Sequence, residues 1–143
     1  MNKFLTSVIL ILFSCSSPEE KSSPTIPGFL IGDFEDDYGV TYAIRDSVFM
    51  MEDHTKIHIL DWNLDGQLFV GKNDSSNIYD PLLYSRIDWM KFENMGEFEW
   101  GFCLSAYNEI SLDSARAVSV VNRENPKTGC NGYPFSRMKR LTN

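Results

Sequence analysis

Phe98-Glu99-Trp100-Gly101-Phe102-Cys103-Leu104 alternates large apolar side chains with small or polar ones. Successive side chains of a strand point to opposite faces, so Phe98, Trp100, Phe102 and Leu104 share one face and Cys103 takes the other. On a helix the same four would scatter around the axis. The stretch therefore reads as a half-buried strand whose second face carries Cys103.

Working outward from it, short apolar runs alternate with turn signals every eight to twelve residues, the pattern of antiparallel structure and not of βαβ units. The runs are Phe29–Phe34, Val40–Ile44, Ser47–Met51, Lys56–Trp62, Gln67–Gly71 and Leu82–Phe92. Asp65-Gly66 is the best turn between them, since a tight hairpin needs positive φ and glycine accepts it. In Leu83–Trp89, Leu83, Ile87 and Trp89 face one side while Tyr84, Arg86 and Asp88 face the other, so Arg86 and Asp88 can pair. Ser111-Leu112-Asp113-Ser114 opens a short helix near 111–118, with a cap residue and an acidic first turn. A last strand is expected near Phe135–Arg140. The whole predicts a mainly β domain, an antiparallel meander forming a small barrel or sandwich.

The order of elements from Gly28-Phe29-Leu30-Ile31-Gly32-Asp33-Phe34 onward resembles lipocalin-like small barrels. That resemblance rests on no diagnostic motif, and fold analogy does not carry function with it.

The amino terminus has the grammar of a secretory signal: Lys3, then an apolar run from Phe4 to Phe13. The run is too short for a spanning helix, which needs roughly 20 apolar residues. Leu12-Phe13-Ser14-Cys15 resembles the lipobox of bacterial lipoproteins, with Phe13 departing from the small residue usual at its position. The resemblance implies removal of residues 1–14, lipid (thioether-linked, with acyl chains such as palmitate) on Cys15, and membrane anchoring by several chains. The competing reading is an ordinary secreted protein with an incidental Cys15. Residues 15–28, rich in Ser and Pro, form a solvated tether, and residues 29–143 a single β-rich domain. Ser16 after the cysteine, and Glu19-Glu20, resemble outer-membrane sorting signals, so the expected address is the bacterial envelope, at the outer membrane, on either face.

Loss of Lys3 with the signal takes the formal net charge from −7 to −8. So acidic a domain repels phosphate backbones, which argues against nucleic acid as a partner. With Cys15 taken by lipid, Cys103 and Cys130 remain as an even pair in an oxidising compartment, which predicts a disulfide closing a loop of about 27 residues and contributing on the order of 3 kcal/mol. Two buried free thiols, or a reactive Cys103, are the alternatives.

Chemistry is harder to find. The carboxylates of Asp33-Phe34-Glu35-Asp36-Asp37 suit calcium in ligand type but not in spacing, and a solvated acidic turn is the simpler reading. His54 and His58 lie on strand and turn, about 13 Å apart at about 3.3 Å per residue, which defeats shared zinc ligation. No Ser-His-Asp order, nucleophile elbow or phosphate loop can be defended, so neither a catalytic residue, a metal nor a cofactor is assigned. His58, Arg86, Asp88, Trp62, Trp89 and Trp100 are candidates for a ligand pocket or polar cluster. Asn122 to Gly132 is either a disulfide-braced turn or a recognition loop. Three functions follow in order: a non-enzymatic interaction module for an envelope protein, a carrier of a small apolar ligand, and an enzyme with an unrecognised site.

Overall fold

A computed structural model describes residues 25–142. The expected signal, the lipobox and most of the tether lie outside these residues.

Eight antiparallel strands follow one another around a closed barrel: β1 (Gly32–Asp36), β2 (Thr41–Arg45), β3 (Val48–Met51), β4 (Thr55–Asn63), β5 (Leu68–Asn73), β6 (Tyr84–Lys91), β7 (Phe98–Glu109) and β8 (Ser136–Arg140). Closure comes from β8 returning to β1, with Phe34 opposite Arg140 and Asp36 opposite Met138. This settles barrel against sandwich, and the architecture is compatible with a lipocalin-like fold. The short helix α1 (Leu112–Ala117) begins where its cap chemistry puts it: the Ser111 side chain accepts from the Ser114 amide at 3.1 Å, and Ser114 Oγ accepts from the Ser111 amide.

The inward faces of the strands supply the core. Phe34, Ile44, Ile87, Trp100 and Met138 are all buried, together with the aromatic rings of Tyr42, Phe49, Phe69, Trp89 and Phe102. Phe49 of β3 and Phe102 of β7 meet edge to face at 5.6 Å between centroids, and Tyr42 reaches Phe102 at 5.3 Å. In an eight-stranded barrel β3 and β7 stand opposite each other, so one contact bridges the lumen.

Three local readings are corrected. The run beginning at Phe29 does not start a strand: Gly28–Leu30 is a single 3₁₀ turn, here η1, which puts the buried Leu30 across one end of the barrel. Gly66 does not have positive φ; the left-handed residue of that turn is Gln67, with φ of 55°. Gly66 serves space instead, since a Cβ there would crowd the Asn63 side chain that accepts its amide hydrogen. Phe98 leaves the face shared by Trp100 and Phe102, because the register shifts between Phe98 and Trp100. A bulge exchanges inside for outside, and Phe98 lies under the Arg137 guanidinium. At the other end of that strand Leu104 is 40% exposed, at the open mouth of the barrel.

The plugged end is fastened by Arg140. Its Nη1 donates to the Ile31 carbonyl at 2.9 Å, its Nη2 to that of Gly28 at 3.1 Å, and its guanidinium lies over the Phe34 ring. A Cβ on Gly32 would fall on that guanidinium, which together with the residue's φ of 145° explains glycine at the start of β1. Arg140→Ala is expected to lower stability by about 1–3 kcal/mol, as for loss of charged hydrogen bonds. Arg140→Lys recovers little, because an ammonium lacks the planar fork that reaches several carbonyls while stacking on a ring. Thermal melts of the two variants check this, and a lysine variant as stable as the parent would refute it.

Candidate functional site

The six candidate residues divide into three places. Trp89 and Trp100 are buried inside the barrel, their indole N–H groups without a hydrogen-bond acceptor among the described residues. Trp62 packs at a tilt against Phe69, 4.7 Å between ring centroids, near the plugged end and donates to the Asp46 carbonyl. The other three are on the outer surface, in two separate networks.

Arg86 and Asp88 pair as the two-residue period predicts: Arg86 Nε donates to Asp88 Oδ2 at 2.7 Å and Nη2 to Oδ1 at 2.9 Å. Asp88 is fully buried although it points outward, because the segment after α1 covers it. From that segment Arg123 donates to Asp88 Oδ1 at 3.1 Å and to the carbonyls of Gln67 and Trp89 at 2.7 and 2.9 Å. Ser105 Oγ adds a donor at 2.6 Å, and Arg86 Nη1 reaches the Arg116 carbonyl at the end of α1. These bonds all end on protein acceptors, so the network holds α1 and the long segment onto β5, β6 and β7. Arg123 and Ser105 carry no local mark in the sequence that would have named them.

His58 lies apart, half exposed, bonded to Asp74 at 2.6 Å. The Ser76 hydroxyl and amide also donate to Asp74, and these bonds, followed by that to His58, hold its carboxyl well below the usual carboxylate range. Ser76 touches the carboxylate and not the imidazole, so this trio contains no serine activated by a histidine. His54 sits in the β3–β4 turn beside Glu52 and Asp53.

The acidic run on β1 is likewise parcelled out. Asp33 pairs with Arg45, Glu35 with Lys139 and Asp37 with Arg137. Asp36, almost fully buried, accepts from the amides of Tyr38 and Val40 and from the Tyr42 hydroxyl at 2.8 Å. Burial, then that bond, pushes the Tyr42 hydroxyl far above its ordinary range, so it remains a donor. Among the described residues no three His, Cys, Asp or Glu side chains converge as a metal site.

Cys103 and Cys130 form a disulfide with Cα atoms 5.4 Å apart. Cys103 projects from the outer face of β7, as the alternation requires, and is buried by the loop that the bond holds there. The loop is tight: the Asn122 amide donates to the Gly129 carbonyl, and a Cβ on Gly129 would fall on the Asn122 carbonyl. Between this loop and β8 runs a groove of about 550 Å³, walled by Tyr38, Phe92, Pro126, Lys127, Tyr133 and Arg137 among others. Tyr38 and Tyr133 are about three-quarters exposed, at 76% and 73%. A second concavity, about 330 Å³, opens at the barrel mouth between Met51, Ile57, Leu104 and Tyr107.

No protein-family model, curated protein or solved structure matches the chain.

Proposed function

We propose that the protein is a lipid-tethered module of the bacterial envelope that binds an extended polypeptide segment of another envelope protein in the groove beside the disulfide-braced loop. The carrying observation is the Phe49–Phe102 contact across the barrel. It fills the barrel at that level, so an extended polypeptide cannot thread the lumen and is met on the outer surface. There the groove combines rigid walls, aromatic and proline side chains suited to an extended apolar segment, and two exposed tyrosines, a residue type enriched at interfaces. The same loop is the one whose composition stands out in the sequence.

Anchoring rests on the lipobox resemblance. The described chain begins beside the plugged end of the barrel, and ten residues from Cys15 reach at most about 35 Å. Cys15→Ala is expected to move the protein from the membrane fraction to the soluble envelope fraction and to abolish acyl labelling, since the apolar run at 4–13 is too short to anchor a cleaved product. A Cys15→Ala protein that stayed membrane-bound, with a parent free of lipid, would refute the anchor and leave the groove reading standing.

The groove is tested by placing a photo-crosslinking amino acid at Tyr38, Tyr133 or Leu60 of the full chain in cells. Leu60 is 55% exposed on β4, across the barrel from β8. The expected result is one adduct common to 38 and 133, absent at 60, and lost when Cys103 and Cys130 are both replaced by Ala. Equal labelling from 60, or none from 38 and 133, overturns the proposal.

A further inference from the structure

The cup at the open end of the barrel is built with more care than a gap between loops requires. Its floor is Met51, Ile57 and Leu104, and the exposed rings of Tyr79 and Tyr107 stand on its rim. One wall is the β5–β6 connection, and buried amides hold it. Asn73 donates from Nδ2 to the carbonyls of Asp80 and Tyr107, both at 2.8 Å, and accepts from Ser85 Oγ at 2.6 Å. Asn77 clasps the backbone of Lys56 from both sides. The wall is also strained: Asp80 and Leu82, on either side of Pro81, have φ of 49° and 65°, conformations that ordinary side chains avoid. Strain maintained by the surrounding structure is characteristic of binding sites. Asp80 lines the cup, and among the described residues it makes no ion pair, whereas Asp33, Glu35, Asp37 and Asp88 have theirs.

We propose that this cup binds a small organic ammonium compound with a flat apolar body. The apolar floor takes the body, the tyrosine faces and the Asp80 carboxylate take the cation, and aromatic faces attract cations through their ring quadrupole. The size of the cup restricts the ligand to something of one or two rings. The site is independent of the groove, which lies on the outer face between other elements.

Calorimetry on the full-length protein in detergent, with tryptamine and its neutral counterpart tryptophol as probes, tests the assignment. Tryptamine is expected to bind at least about tenfold more tightly than tryptophol. Asp80→Asn is expected to erase that preference while leaving tryptophol binding unchanged, because asparagine tolerates the left-handed backbone at this position. Tyr107→Ala is expected to weaken both probes. Asp53→Asn, a substitution of a fully exposed carboxylate in the β3–β4 turn, controls for general acidity and is expected to change neither. The proposal is overturned by equal affinity for the two probes, by an undiminished preference in Asp80→Asn, or by failure of both to bind at about 10 mM.

Discussion

Asp88→Ala is expected to lower the stability of the domain by about 3–5 kcal/mol, the range for removing one partner of a buried ion pair. The loss does not come from Coulomb attraction alone. Asp88 is fully buried and accepts from Arg86 twice, from Arg123 and from Ser105. Removing it leaves two guanidinium groups facing each other under cover, with Arg86 only 11% exposed and Arg123 28%. Asp88→Asn keeps the shape but supplies a single acceptor oxygen and no charge, so it recovers only a minor part. The reverse holds for replacing the whole set: Arg86→Met, Asp88→Leu and Arg123→Met together are expected to cost less than Asp88→Ala, because no uncompensated charge remains. Urea midpoints for the three proteins decide the matter. If the triple variant were the least stable, the network would owe its effect to packing and not to charge.

That network also marks the boundary of what the sequence makes legible. Arg86 and Asp88 were visible as partners because two-residue periodicity is local information. Arg123, thirty-odd residues on in a turn-rich loop, has no periodicity to betray it; its role exists only once β5, β6 and the loop are stacked. The strands themselves were legible from alternation, and α1 from Ser111. Closure was not, since the pairing of β8 with β1 depends on chain ends that carry no mark of each other. The bulge at Glu99 was equally silent, and it alone moves Phe98 out of the shared face. Residue type alone groups His58 with Arg86 and Asp88. Register keeps them apart: His58 stands opposite Lys72 on β5, and its acceptor Asp74 comes from the end of that strand.

Replacing Cys103 and Cys130 together by Ala is expected to lower stability by about 2–5 kcal/mol, and to abolish the groove before it unfolds the barrel. The bond spans 27 residues, so part of its effect lies in the unfolded chain, whose freedom it restricts. The other part is local. Cys130 makes isolated bridges with Val121 and Tyr133, and the Phe135 amide donates to the Pro126 carbonyl, so the loop folds on itself around the sulfur atoms. Its remaining hold on the barrel is chiefly Arg123, at the loop's start. Without the disulfide, the far half of the loop, with Pro126, Lys127 and Tyr133, loses its fastening to β7. The barrel's inward residues and the β1–β8 pairing do not depend on that fastening. Hydrogen exchange on the double variant is therefore expected to show fast exchange at the Cys130 and Tyr133 amides while those of β2 to β5 stay protected. Uniform acceleration across all strands would mean that the disulfide supports the barrel itself, and that the groove is not a separable part of the fold.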